Sequence, residues 1–501
     1  MAKRLMFQGT GSTVGKSLTV AAMCRIFKDM GYTVAPFKSQ NMALNSFITK
    51  DGKEMGRAQV VQAEAARIEP HVHMNPILLK PTSHVGSQVI LNGEVFKNMK
   101  ATEYFAEKEN LIPHVKEAFN ALNEAYDIIM IEGAGSPAEI NLRSRDIVNM
   151  GLAEIVDTDV ILIGDVDKGG VFASLYGTVM LLEPSERSRI KGFLINKFRG
   201  DVSLLLPGIK MLEDKIMIPC VGVIPYIEKL KIDDEDSVTE RFSKSKEANI
   251  TIGVVRLPFM SNFSDFTVFD MEEDVNLIYV DDRKSIQKCD ALIIPGSKNT
   301  IFDMLSLKKN GLDLVIKAFH ETGKPIYGIC GGYQILGTSI SDPYEVESVD
   351  PRIDGLGLLN VETTMAKEKT TVQNYGLILE GNHGYENIEV TGYEIHMGES
   401  NITDQNTKPF LKTKDGHFDG AVNADNNVFG TYFHGVFDND GYRNAILNNI
   451  RRAKGMPIVD VSANFAAIKN AEYDRLAEHV KANLEMDKII KILEESRINP
   501  C

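Results

Sequence analysis

A chain of 501 residues is too long for a single small module, and at ~150 residues per domain it predicts roughly three folding units. With 43% hydrophobic and 25% charged residues the composition is globular and argues against wholesale disorder. A formal net charge of −14 argues against nucleic acid or an anionic membrane as partner, since both are held mainly through lysine and arginine, and favours small-molecule substrates.

No apolar run approaches the ~18 residues of a spanning helix, and the segment after Met1 lacks the apolar stretch of an export signal, so the expected location is the cytoplasm. Cys24, Cys220, Cys289, Cys330 and Cys501 are odd in number and far apart. Without a C-x-x-C pair they predict neither a disulfide framework nor a cysteine zinc site.

In chain order, short apolar runs alternate with helix-period stretches, the pattern of a parallel sheet wrapped by helices. The expected strands are Leu5 to Phe7, Thr33 to Phe37, Asp127 to Ile131, Val160 to Gly164, Gly192 to Ile195 and Val221 to Ile224. Between the first two, Leu18, Ala22, Ile26 and Met30 share one helical face, and Gly31 stands where a helix end wants it. The highly charged stretch from Ile227 to Asn249 reads as a linker. A second α/β series follows, with strands at Thr251 to Val255, Asn276 to Val280, Ala291 to Ile294 and Ile326 to Ile329. The expected partition is therefore 1–226, a linker at 227–249, a second domain at 250–450 and exposed helices forming a tail at 451–501.

The first expected strand runs into Gly9, Thr10, Gly11, Ser12, Thr13, Val14, Gly15, Lys16 and Ser17. Glycines here let backbone N–H groups turn onto phosphate oxygens at a helix N-terminus, a P-loop for ATP. Lys16 would reach the β and γ phosphates and the Ser17 hydroxyl would ligate Mg²⁺. Five residues separate Gly9 from Gly15, so the match is to a longer variant of the loop. Glu132 ends an apolar strand and is followed by Gly133 and Gly135, which suits a hard-oxygen metal ligand beside the phosphates. Asp165 and Asp167 end the next strand, as metal or substrate groups or as loop caps, and the Asn196 amide is placed to read an adenine edge. Lys38, Lys80, Arg143, Arg145, Lys168, Lys197 and Arg199 gather at these strand ends; in an acidic protein such a grouping predicts an anionic second substrate.

In the second series, Pro325-Ile-Tyr-Gly-Ile-Cys330-Gly-Gly places Cys330 on a sharp strand-to-helix turn, like the nucleophile elbow of hydrolases. The helix dipole and backbone donors favour the thiolate there. The N–H of Gly331, with a second donor from the turn around Gly296, would stabilise an oxyanion. His434, at the end of an apolar strand, is the expected base and His396 its rival in a substrate-side or structural role. His71 and His73 lack a third ligand nearby in sequence and read as structural or solvent-facing.

These motifs, in this order, resemble the cobyric acid synthase family of cobalamin biosynthesis. The resemblance runs from Lys3 to about Ala453 and includes the stretches Lys38 to Ser46 and Gly392 to Gly398. It implies an α/β protein with an N-terminal P-loop NTPase-like, dethiobiotin synthetase-like parallel-sheet domain and a C-terminal class I glutamine amidotransferase-like domain. It also implies ATP- and glutamine-dependent amidation of the b, d, e and g carboxylates of a corrinoid polycarboxylic acid, adenosylcobyrinic acid a,c-diamide. Ordinary class I amidotransferases carry a glutamate two positions after the histidine; here Val436 stands there, so His434 must be oriented from elsewhere, by a backbone carbonyl or Asp438. Two alternatives stand beside this reading: cobyrinic acid a,c-diamide synthase, with the same architecture, and a nucleotide switch or partitioning ATPase with a purely binding C-terminal domain. The intact Cys330 elbow argues against the second.

Overall fold

The computed structural model describes every residue except 82–85, 233–247, 383, 461–463 and 497–501. Most of the expected linker at 227–249 therefore lies outside the described residues. The chain divides into two compact units, and neither is one continuous stretch. The first comprises Met1–Ala43, Glu54–Glu235 and Lys469–Cys501; the second comprises Leu44–Lys53 and Asp236–Ile468.

The first unit is built on a parallel sheet in the order Cys220–Pro225, Ile190–Phe198, Asp159–Asp165, Lys3–Gly9, Ile128–Glu132, Val34–Phe37. The Ile/Leu/Val-rich inner strands, such as Ile128–Glu132 and Asp159–Asp165, are buried along their whole length, as a sheet covered on both faces requires. Strand Lys3–Gly9 lies between Ile128–Glu132 and Asp159–Asp165. The loops after their carboxyl ends thus meet at the point where strand order reverses, the place where ligands of open α/β sheets bind. All six expected strands are present, each differing by a residue or more at its ends. A separate four-stranded sheet, Gln40–Met42, Ile77–Pro81, Gly86–Leu91 and Glu94–Lys100, was not anticipated from the sequence.

The helix Lys16–Asp29 carries the loop lysine at its first position. It is buried on more than the one face its periodicity suggests, because the C-terminal helices pack on it. Tyr473, Leu476, Val480, Leu484, Ile489 and Leu493 join the same core as Val20, Cys24 and Phe27. The fully buried Arg25 guanidinium lies over the Tyr473 ring at 5.6 Å and donates to Asn470 Oδ1 at 3.1 Å. The expectation of an exposed tail is thus corrected from Lys469 onward: its apolar stripe is the outer cover of the first unit.

The second unit has a sheet ordered Val275–Val280, Ile250–Val255, Ala291–Ile294, Ile326–Ile329, Val428–Thr431 and Ala421–Val422, parallel except at the last strand. A long antiparallel hairpin, Val361–Ile378 with Glu389–Ile402, accompanies it. Strands Ile326–Ile329 and Val428–Thr431 are neighbours in parallel register, so the residues following them, Cys330 and His434, emerge at the same sheet edge.

Candidate active sites

In the first unit the loop Gly9 to Ser17 closes around its own lysine. Lys16 Nζ donates to the carbonyls of Gly11 at 2.8 Å and Gly135 at 3.1 Å. Gly15 has φ +100°, and a Cβ there would lie 2.1 Å from Asn196 Nδ2, so both its backbone and its surroundings demand glycine. Asn196 donates to the Val14 carbonyl at 2.8 Å and accepts from the Lys197 backbone N–H at 2.9 Å. In this structure the amide braces the loop. Lys168 donates to the Thr13 hydroxyl at 3.1 Å and Lys197 to the Thr13 carbonyl at 2.6 Å, so two ammonium groups flank the loop.

Ser17 donates to Glu132 Oε1 at 2.9 Å, and Lys38 Nζ lies 2.8 Å from the same oxygen, while Gln62 donates to Oε2. Glu132 is 1% exposed. A hydroxyl and a buried carboxylate side by side at the loop fit Mg²⁺, which takes hard oxygen donors and retains waters and phosphate oxygens for its remaining positions. Among the described residues no group of three or more His, Cys, Asp or Glu is arranged to hold a metal alone.

The basic cluster resolves largely into ion pairs. Lys80 is 1% exposed and bound to Glu54, and Asp165 pairs with Lys197 at 2.9 Å while accepting from the Asp167 N–H. Each has an internal partner in this structure, as burial of a charge requires. Arg199 pairs with Asp167 at 2.9 Å and lies 3.5 Å over the Tyr226 ring. Arg143 is partly exposed and bridges Glu183 and Glu186 at 3.0 and 2.9 Å. His71 caps the turn Val72–Met74 by accepting from the His73 N–H.

In the second unit Cys330 sits between its strand and the helix Gly331–Leu336 with φ 52° and ψ −108°, a conformation costly for a residue with a side chain. A Cβ on Gly332 would lie 1.9 Å from the Ile294 carbonyl, so the turn closes only with glycine there. A Cβ on Gly331 would lie 2.7 Å from the Ser297 N, and one on Gly296 would lie 3.3 Å from the His434 ring. The expected oxyanion turn is thus brought beside both the elbow and the imidazole.

His434 is 1% exposed and lies near enough to Cys330 for the sulfur to act on its charge, while the thiol itself is 3.8 Å from the Ile395 carbonyl. Its Nδ1 lies 2.7 Å from Asp265 Oδ2, and Asp265 Oδ1 accepts from the Gly435 N–H at 3.0 Å. Burial alone would favour the neutral ring, but the Asp265 carboxylate and the Cys330 sulfur outweigh it and raise the pKa to about 10. Neither Asp438 nor a backbone carbonyl is the orienting group. Asp265 lies 169 positions upstream, and the pairing of strand Met260–Ser261 with Gly296–Ser297 helps bring its turn to the site. His396 is held elsewhere: Nδ1 meets the Gly398 carbonyl at 2.8 Å, Nε2 meets Glu394 at 3.3 Å, and its ring stacks on Tyr432.

A cysteine on a strained strand-to-helix elbow with a carboxylate-held histidine, and a P-loop in the same chain, are the parts of a glutamine-dependent amidoligase. Family models agree on both halves: a CobQ/CobB/MinD/ParA nucleotide binding domain matches residues 5–239, and a CobB/CobQ-like glutamine amidotransferase domain matches 251–442. The cobyric acid synthase of Alkaliphilus metalliredigens is 53% identical over 502 residues, covering 98% of this chain and 99% of that protein. That of Clostridium botulinum strain 657 is 54% identical over 496 residues, with the same shares covered, and that of Thermoanaerobacter sp. strain X514 is 51% identical over 505, covering 99% of each. The chain belongs to the cobyric acid synthase family.

Proposed function

We propose that this chain amidates the b, d, e and g carboxylates of adenosylcobyrinic acid a,c-diamide to cobyric acid, using glutamine as nitrogen source and ATP as activator. The observation that carries the reading is the Cys330–His434–Asp265 line in the second unit, in a chain whose first unit holds Lys16, Ser17 and Glu132 at the mouth of a nucleotide loop.

A carboxylate resists attack by ammonia, so it must first be activated. A substrate carboxylate oxygen attacks the γ-phosphorus of ATP, ADP leaves, and an acyl phosphate results. Backbone N–H groups of Gly9 to Gly15 and the Lys16 ammonium cradle the phosphates, with Lys168 and Lys197 beside the loop. Ser17 and Glu132 would hold Mg²⁺, which supplies charge neutralisation at the phosphates. Lys38, Arg143, Lys168 and Arg199 are the cations proposed to meet the polycarboxylate. In the second unit the Cys330 sulfur attacks the side-chain amide carbon of glutamine, with Gly331 and the Gly296 turn as oxyanion donors. His434 gives its proton to the departing nitrogen, ammonia leaves, and water drawn by the same imidazole hydrolyses the thioester to glutamate. Ammonia attacks the acyl phosphate, and inorganic phosphate leaves.

Cys330→Ala is expected to abolish glutamine-driven amidation while sparing the reaction with ammonium salts, and Lys16→Ala to abolish both. The measurement is mass spectrometry of the corrinoid, counting acid-to-amide exchanges. Fewer than four exchanges with excess ATP and nitrogen donor, or glutamine hydrolysis surviving in Cys330→Ala, would overturn the reading.

A further inference from the structure

The stretch Lys38 to Ser46 was singled out by sequence, yet the proposed chemistry uses only its lysine. Its end, with the residues that follow, belongs to the second unit as the segment Leu44–Lys53. Asn45 and Ser46 are fully buried there.

Asp265 is carried by the short helical turn Phe263–Phe266, which begins at Asn262 in the left-handed conformation with φ 51°. The first N–H groups of such a turn have no partner within it, and the side chain of Asn262 does not supply one. Asn45 does: its Oδ1 accepts from the Phe263 N–H at 2.9 Å, an N-cap delivered from more than two hundred residues away. Beside it, the Ser46 N–H donates to Asn262 Oδ1 at 3.1 Å, and the Ser46 carbonyl accepts from the Tyr393 hydroxyl at 2.9 Å. The Tyr393 ring stacks on His434 with centroids 5.3 Å apart, and the two residues exchange backbone hydrogen bonds. Phe47 packs edge-on against the same tyrosine at 5.3 Å. The segment therefore grips the imidazole from two sides, through the acid that orients it and through the ring that lies against it.

We infer that Asn45 is a positioning residue for glutamine hydrolysis, fixing Asp265 and through it His434, with Ser46 and Tyr393 forming the second arm of the same clamp. The inference rests on the Cys330–His434 reading given above. The capping amide touches neither glutamine nor the sulfur, so its loss loosens geometry without removing a reacting group.

The test is steady-state glutamine hydrolysis by the full-length chain carrying Asn45→Leu, which has similar volume and no acceptor. Its kcat is expected to fall by about 10- to 100-fold with KM for glutamine within about twofold, since misplacement of a catalytic group costs turnover more than ground-state binding. Asn45→Asp, which keeps an acceptor at the same place, is expected to recover most of the lost turnover. ATP-dependent amidation with ammonium salts is expected to match the parent protein in both. If Asn45→Leu does not fold, Asn45→Ala is read by the same kcat-against-KM comparison. Wild-type kcat in the Leu or Ala variant, a rise in KM that accounts for the loss, or no recovery by Asp would overturn the role of Asn45. Cys330→Ala run alongside separates the two failures: glutamine hydrolysis persisting there defeats the site reading and the inference together, whereas its loss there with an unaffected Asn45 variant defeats the inference alone.

Discussion

The Asp265 carboxylate on Nδ1 favours the cationic form of His434. Replacing Asp265 by Asn would leave burial, which favours the neutral imidazole, with less opposition, so the ring's pKa should drop from about 10. In the proposed mechanism an imidazolium protonates the departing nitrogen, so the alkaline limb of glutaminase kcat/KM is expected to move to lower pH in Asp265→Asn. At pH 9 the variant should lose about tenfold or more relative to the parent, and distinctly less at pH 6. A pH–rate profile checks this; a uniform drop at every pH would deny Asp265 its electrostatic role. No motif spacing marked this carboxylate. The habitual position two residues past the histidine holds valine, and a partner 169 residues upstream becomes a neighbour only through tertiary pairing. One signal did exist: Asp265 follows a strand and a turn rich in polar residues, Ser261-Asn-Phe-Ser-Asp265, in an otherwise apolar region.

The central strands were legible because parallel strands covered on both faces are written as continuous apolar runs bounded by loops, as in Ala291 to Ile294 and Ile326 to Ile329, whose limits match the sequence reading. The four-stranded sheet between Gln40 and Lys100 was hidden for the opposite reason. Strands such as Glu94–Lys100 are exposed along most of their length and carry no buried alternation. The cysteine elbow and the phosphate loop were legible since each needs glycines at fixed local offsets. The C-terminal helices misled because charged residues are interspersed all along them, while the buried stripe is narrow. Tyr473 anchors that stripe, stacked under Arg25 and donating to Glu64 at 2.6 Å. Tyr473→Ala should lower the stability of the first unit by about 3 kcal/mol, by the cavity it leaves and the cation it uncovers. Urea unfolding measures this. A rise in KM for ATP with glutamine hydrolysis intact should accompany it, because Arg25 lies on the helix that begins with Lys16 and Ser17.

At the scale of the whole molecule, the second unit stores several protons that an unfolded chain would release. Burial raises Asp303 and Asp419 to about 6 and Glu347 to about 7. For groups raised on folding, the stabilising contribution is complete below the unfolded value and disappears as pH climbs through the folded one. The three carboxyls therefore contribute fully near pH 4 and lose their contribution by pH 6 to 7, and His434 loses its own between about 6.5 and 10. All four slopes have the same sign, so the thermal midpoint of the second unit is expected to fall steadily from pH 6 to pH 9. A midpoint that rises over that interval in scanning calorimetry would contradict these assignments.

Gly222, on the outermost strand of the first sheet, bridges to Leu484, and the Glu485 N–H donates to the Val221 carbonyl at 2.8 Å. During synthesis the strand leaves the ribosome before its partner, and this border cannot be sealed until Leu484 and Glu485, which follow the whole of the second unit's sequence, have emerged. The nucleotide unit must wait, unfinished, while the glutaminase sequence is translated. Order of manufacture and order of completion are thereby reversed.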